Sequence, residues 1–256
     1  MSKLLNAELH RLFKSKLFWV CLLFLTLRSS YYVCSGIFNS NVRELGVTVL
    51  YKHNFWCNID FFSIIMMVFN GIFNGTEYNN RTINNKIIAG YTKANIYLTQ
   101  CIITGIVACI MLVVPYFVTT VIGFILIGPP NITIAQYFYD LLCGCFAACA
   151  IMLIAQFILI SVCSRTKSLV IGFFVSFAAL LLSGYCGYNL EYHLVEGRQK
   201  MICEYCMHII PTGYLDEIRG GYIWLECDHT APVFMLIIIL ISVIYGIRVI
   251  PKKDLK

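Results

Sequence analysis

The sequence predicts an all-α polytopic membrane protein with six transmembrane helices, and three observations carry that prediction. Hydrophobic residues make up 59% of the 256 positions, charged residues only 12%, and the mean hydropathy is +0.78. Soluble domains hold about 45–50% apolar and about 25% charged residues, so this chain lacks the polar groups to cover a water-facing surface. The apolar residues fall in long unbroken runs, near or above the ~20 residues that cross a hydrocarbon core. Cationic side chains flank these runs at every second connection. The same arithmetic excludes a disordered chain, a collagen, a coiled coil and a secreted disulfide scaffold. A β-barrel would show alternating segments of ~10 residues, which are not present. The net charge of +6 does not mark a nucleic-acid binder, because the bases are spread along the run ends instead of forming one patch.

The spans read as residues 17–38, 55–73, 96–127, 134–163, 169–188 and 231–250 of a single transmembrane domain, 1–256. The third and fourth are long enough to tilt or to extend beyond the hydrocarbon. Between them Gly128-Pro129-Pro130-Asn131 is a turn signal, and Pro115 is a potential kink. Of the nineteen Lys and Arg residues, thirteen lie at the N-terminus, in the second and fourth connections and at the C-terminus. Five lie on the other side, and Arg28 falls within the first span. By the positive-inside rule both termini are cytoplasmic. The first span is not a cleavable signal peptide, since it has no A-x-A-like site and runs on into Arg28 and two tyrosines.

Residues 1–16 form an amphipathic helix. Leu5, Leu9, Leu12 and Phe13 share one face and Lys3, Asn6, His10, Arg11 and Lys14 lie largely opposite, the pattern of an elbow lying in the membrane interface. Residues 74–95 are too long for a plain turn. Glu77 and Arg81 stand four apart, as do Arg81 and Asn85, which suits a short helix, and Gly90 suits its left-handed cap.

The amphipathic start, LLNAELHRLFKSKLFW, precedes a span and then a loop that carries Phe73, Gly75, Glu77, Tyr78, Thr82, Ile83, Asn85, Lys86, Gly90, Tyr91, Thr92 and Lys93. Pro211-Thr212-Gly213 follows in the last outer loop, and the chain ends in Lys252-Lys253-Asp254-Leu255-Lys256. This arrangement resembles the ABC-2 type permeases, the membrane subunits of bacterial ABC exporters, in their bacitracin and lantibiotic export or immunity branch. The resemblance implies a multi-pass protein of the bacterial cytoplasmic membrane that pairs with a second permease copy or a paralogue. It also implies a separate ABC ATPase subunit at the cytoplasmic face, with ATP and Mg on that partner and no cofactor in this chain. The substrate class it implies is a peptide antibiotic or another amphipathic compound, moved by alternating access. The residues matching the family's ATPase-coupling segment are Glu77, Arg81, Asn85 and Lys86. The chain itself holds no G-x-x-x-x-G-K-[ST] phosphate loop.

Three charges fall inside the spans. Arg28, Asp60 and Asp140 reach overlapping depths at 1.5 Å per residue. Arg28 either pairs with Asp60 or Asp140 between helices, or snorkels to the outer interface with both acids among headgroups; contact with substrate is a third reading. The outer loop 189–230 is expected to hold re-entrant helices, one over Leu190–Cys206 and another from Tyr214 to Ile218, with Gly220-Gly221 as a break. Cys203, Cys206 and His208 are weak metal-ligand candidates, because a lone C-x-x-C supplies too few ligands. A disulfide involving Cys227 is an alternative, and free thiols are the default. No catalytic constellation is expected, so the chain is read as a transport subunit and not an enzyme. A secondary transporter and a membrane-embedded processing enzyme are the competing readings: the first lacks the expected inverted repeat, and the second lacks any H-E-x-x-H or Ser/His/acid group within one layer.

Overall fold

A computed structural model describes residues 2–38, 59–126, 128, 133–218 and 231–250. Among them every regular element is helical. In chain order these are α1 (Ser2–Lys14), α2 (Lys16–Phe38), α3 (Ile59–Phe73), α4 (Gly75–Asn79), α5 (Thr82–Ile88) and α6 (Lys93–Leu126). There follow α7 (Ile134–Val162), α8 (Arg165–Glu191), α9 (Arg198–Ile209), α10 (Pro211–Ile218) and α11 (Ala231–Val249). Five of these, α2, α6, α7, α8 and α11, are long and apolar enough to cross a membrane. The predicted second span is described only as α3, which has 15 residues, and residues 55–58 lie outside the described part.

The helix α7 is the central rod. It packs against α6, α11, α3, α10 and α8, while α3 packs on α8 and α2 on α6. Its buried face is built from small and branched residues: Ala147, Ala148, Ala150, Ile151, Ala155, Ile158 and Leu159. The small ones let neighbouring backbones approach closely, which is how helices associate where lipid removes the hydrophobic drive. By contrast α8 and α11 expose Phe174, Leu181, Tyr185, Leu240, Ile241 and Ile244. An apolar exterior of this extent suits hydrocarbon and not water. The buried stripe of α8, with Ser168, Gly172, Ser176 and Ser183, is the small-residue side. Where α8 begins, a Cβ at Gly75 would lie 3.2 Å from Arg165, so glycine lets α4 and α8 approach closely there.

Several helix ends follow directly from sequence. Thr133 caps α7 by accepting from the Gln136 N–H. Gly90, at φ +91, closes α5: its N–H donates to the Ile87 carbonyl and that of Tyr91 to Lys86, the paired bonds of a Schellman cap. Pro115 sits inside α6 without ending it.

Three expectations are corrected. The inward face of α1 is Leu4, Glu8 and Leu12, with Leu5 and Leu9 half-buried and Phe13 exposed. A carboxylate occupies the middle of a face that hydrophobicity alone assigns to leucines. The single helix expected over Leu190–Cys206 is two pieces: α8 runs on to Glu191, and α9 starts at Arg198 after left-handed residues at His193 and Gly197. The continuous helix expected through Glu77, Arg81 and Asn85 is broken, because Arg81 takes φ +55 between α4 and α5.

The start of α1 and the end of α11 meet at one end of the bundle. Leu4 near the start of α1 and Ile250 past the end of α11 share a buried cluster with Tyr78, Ile83, Tyr97 and Leu159. The α4–α5 loop therefore sits beside the start of α1 and the end of α11.

Candidate functional site

At that end of the bundle six helices contribute polar side chains to one buried network. From α1 come Glu8 and Arg11, whose Nη2 and Oε2 atoms are 2.9 Å apart. Asn70 comes from the last turn of α3, and Asn74 from the junction that starts α4. Glu77 lies on α4, Lys86 on α5, Gln100 on α6 and Gln156 on α7. Asn70, Asn74, Glu77, Gln100 and Gln156 are each no more than 2% exposed. Arg11 and Lys86 keep partial access to the outside.

Glu77 is the hub. Its Oε1 accepts from Arg11 Nη1 and from Lys86 Nζ at 2.6 Å, and its Oε2 accepts from Gln100 Nε2 at 2.7 Å. Gln100 Oε1 accepts in turn from Gln156 Nε2 at 2.8 Å, and Gln156 Oε1 from Asn74 Nδ2 at 3.1 Å. The same Asn74 amide donates to Asn70 Oδ1 at 2.6 Å, and Asn74 Oδ1 receives Arg11 Nη2 at 3.4 Å. The bonds close a ring through Arg11, Asn74, Gln156, Gln100 and Glu77. Every amide in it is aligned head to tail, so that donors run from the cation around to the anion. Aligned hydrogen bonds polarise one another in a low-dielectric interior, which strengthens the ring as a unit.

The charges balance. Glu8 and Glu77 face Arg11 and Lys86, and Lys86 reaches both carboxylates. Arg11 also lays its guanidinium over the Phe73 ring, 4.2 Å from the centroid. Burying an unpaired charge would cost several kcal/mol, about as much as a whole domain's margin of stability, so pairing is obligatory. Burial, and then the Glu77 charge, push the Glu8 carboxyl above its ordinary range, against the pull of Arg11 and Lys86.

Two of the four residues expected for coupling thus come together, and two do not. Glu77 and Lys86 point inward and bond each other, whereas Arg81 and Asn85 are exposed on the outer side of the same loop. The network members that pattern reading missed are Glu8, Arg11, Asn70, Asn74, Gln100 and Gln156. Gln100 and Gln156 carried a signal, being amides inside long apolar runs, where an unsatisfied polar group is expensive.

The other candidates separate. Arg28, half-buried on α2, places its guanidinium 3.8 Å from the centroid of Phe61 on α3. The side chain of Asp60, next to Phe61, lies outside the described residues, and Asp140 is buried on α7. At the opposite end of the bundle His208 Nδ1 and Glu217 Oε2 pair at 3.0 Å, joining α9 to α10 in a buried position. Cys203 packs with Cys186, Leu190 and Met207 in an apolar cluster, and Cys203 and Cys206 are free thiols. His208 bonds the Glu217 carboxylate, and among the described residues no three His, Cys, Asp or Glu side chains are grouped as a metal site. Cys227 lies outside the described residues.

Compared with known proteins, the chain matches no family model and no curated sequence.

Proposed function

We propose that this chain is the permease subunit of an ATP-driven exporter, with its termini and the α4–α5 loop on the cytoplasmic side of the membrane. The observation that carries the reading is the Glu77 network. It fastens a loop outside the long apolar helices to two of those helices, α6 and α7, and to α1. A push on a floppy loop is absorbed by the loop. A push on one tied by a closed ring of hydrogen bonds is passed to the rods, and alternating access needs such a transfer. The exposed Arg81 and Asn85 give a separate ATPase a polar face to hold.

In this reading ATP and Mg are bound and hydrolysed on the partner, and this chain does no covalent chemistry. A second permease, the same chain or a paralogue, completes the substrate path, and the cargo is a peptide antibiotic or a similar amphipath. The proposal also takes up the resemblance of residues 73–93 to the ABC-2 loop. The test is mild-detergent purification of the tagged chain from its native membrane, with mass spectrometry of what accompanies it. The expected result is stoichiometric recovery of a protein bearing a phosphate-binding loop, together with ATP hydrolysis. Recovery of the chain alone, folded and without hydrolysis, would overturn the proposal.

A further inference from the structure

The corner where α1 turns into α2 holds an open cleft of about 350 Å³ lined by Arg11, Lys14, Ser15, Phe73 and Thr76. We infer that this cleft binds the phosphate of an anionic phospholipid headgroup, with an acyl chain lying along α2. The inference needs the chain to sit in a bilayer and does not depend on an ATPase partner.

Charge comes first. Two cations and no acid line the cleft. Arg11 is largely spent on Glu77, Glu8 and Asn74, although its Nε has no acceptor. Lys14 is exposed and lies outside the neutral network, so its ammonium is the uncompensated charge lining the cleft, with exposed Lys16 next to the corner. The carbonyl end of α1 opposes an anion here, and Lys14, in its last turn, offsets that field. The hydroxyl of Thr76 is held by the Phe73 carbonyl at 2.8 Å, which leaves its oxygen lone pairs and not its proton toward a ligand, so Ser15 is the neutral donor.

Position comes second. Trp19 is 53% exposed and donates its indole N–H to the Phe13 carbonyl at 2.8 Å, and Phe13 is exposed as well. Exposed Trp with its polar edge tied to backbone is the side chain that settles at headgroup level. Above it Val20, Leu23, Phe24 and Leu27 are exposed along α2. From Trp19 to Leu27 is about 12 Å at 1.5 Å per residue, close to the ~15 Å of one leaflet. A cationic cleft that includes Ser15, the residue before α2, at the corner from which an apolar stripe of that length starts, matches a lipid and not a free ion or an acidic peptide.

The test uses the full chain in a neutral detergent. Thermal unfolding is followed while dioleoyl phosphatidylglycerol, dioleoyl phosphatidylcholine or inorganic phosphate is titrated in. Phosphatidylglycerol is expected to raise the Tm saturably, with little effect from the other two. The K14Q variant is expected to need roughly five-fold more phosphatidylglycerol for the half-maximal shift, following about 1 kcal/mol per basic residue at a lipid surface. K3Q, on the exposed side of α1, is the control and should behave as wild type. An unchanged Tm for K14Q without added lipid shows that it folds. Equal shifts from phosphatidylcholine, equal losses in K3Q and K14Q, or saturation by inorganic phosphate alone would each overturn the assignment.

Discussion

The two ends of the bundle treat buried carboxylates differently. At the loop end Glu77 has both oxygens engaged by three donors from α1, α5 and α6. At the other end Glu217 meets only His208, and its Oε1 and the nearby buried Thr212 hydroxyl have no hydrogen-bond partner. The Glu77 carboxylate is saturated with donors, so moving it breaks three charge-assisted bonds at once. A half-satisfied pair loses little when it moves. The contrast assigns stiffness to the end that the proposed function needs as a handle, and mobility to the end where a path would open.

The contrast can be broken by mutation. Glu77→Ala leaves Arg11 and Lys86 to share Glu8 and takes the acceptor from Gln100 Nε2, and should cost about 3 kcal/mol, the low end of the range for breaking a buried ion pair, since both cations keep some access to water. Denaturant unfolding in detergent reads this directly, and a loss below 1 kcal/mol would mean the hub carries no load. Gln156→Leu opens the ring without touching a charge. It leaves Asn74 Nδ2 with Asn70 alone and Gln100 Oε1 with no donor, so about 1–3 kcal/mol is expected in the same assay. Glu217→Gln can keep the one bond to His208 and loses no second bond, since Oε1 has no partner, so its effect should stay within about 1 kcal/mol. If Glu217→Gln proves as damaging as Glu77→Ala, the two ends are alike and the contrast fails.

The smallest effect is a pH dependence. The Glu8 carboxyl is held above its ordinary value, chiefly by burial. The folded chain therefore takes up this proton at a higher pH than the unfolded chain does. As pH falls through the folded pKa toward the unfolded one, this group contributes stability that it lacks while ionised. The Tm of wild type minus that of Glu8→Gln should rise as pH is lowered from 7 to about 4.5. A difference that falls over that interval would show that the ion pairs with Arg11 and Lys86 outweigh burial.

How far the sequence carried these conclusions differs from one residue to another. The long rods were legible because apolar runs of this length have few alternatives, and Gly90 was legible because only a left-handed cap explains it there. The short helix that Glu77, Arg81 and Asn85 suggest does not form in one piece, since i,i+4 spacing assumes an unbroken helix and Arg81 itself breaks it. Glu8 was hidden by its neighbours: Leu5, Leu9 and Leu12 make a convincing stripe, and nothing local shows that a partner loop will bring Lys86 to neutralise an acid beside it. Contacts such as Gln100 with Gln156, 56 residues apart, depend on helix register across the bundle, which spacing along one helix does not reveal.

One measurement bears on the central claim that the loop has an inward side that fastens and an outward side that receives. ATP hydrolysis carried by the affinity-purified chain is compared between wild type and Arg81→Glu. Arg81 is exposed, so the variant should unfold at the wild-type temperature yet lose at least ten-fold of the accompanying hydrolysis. Full hydrolysis with Arg81→Glu, or none with wild type, would contradict the account.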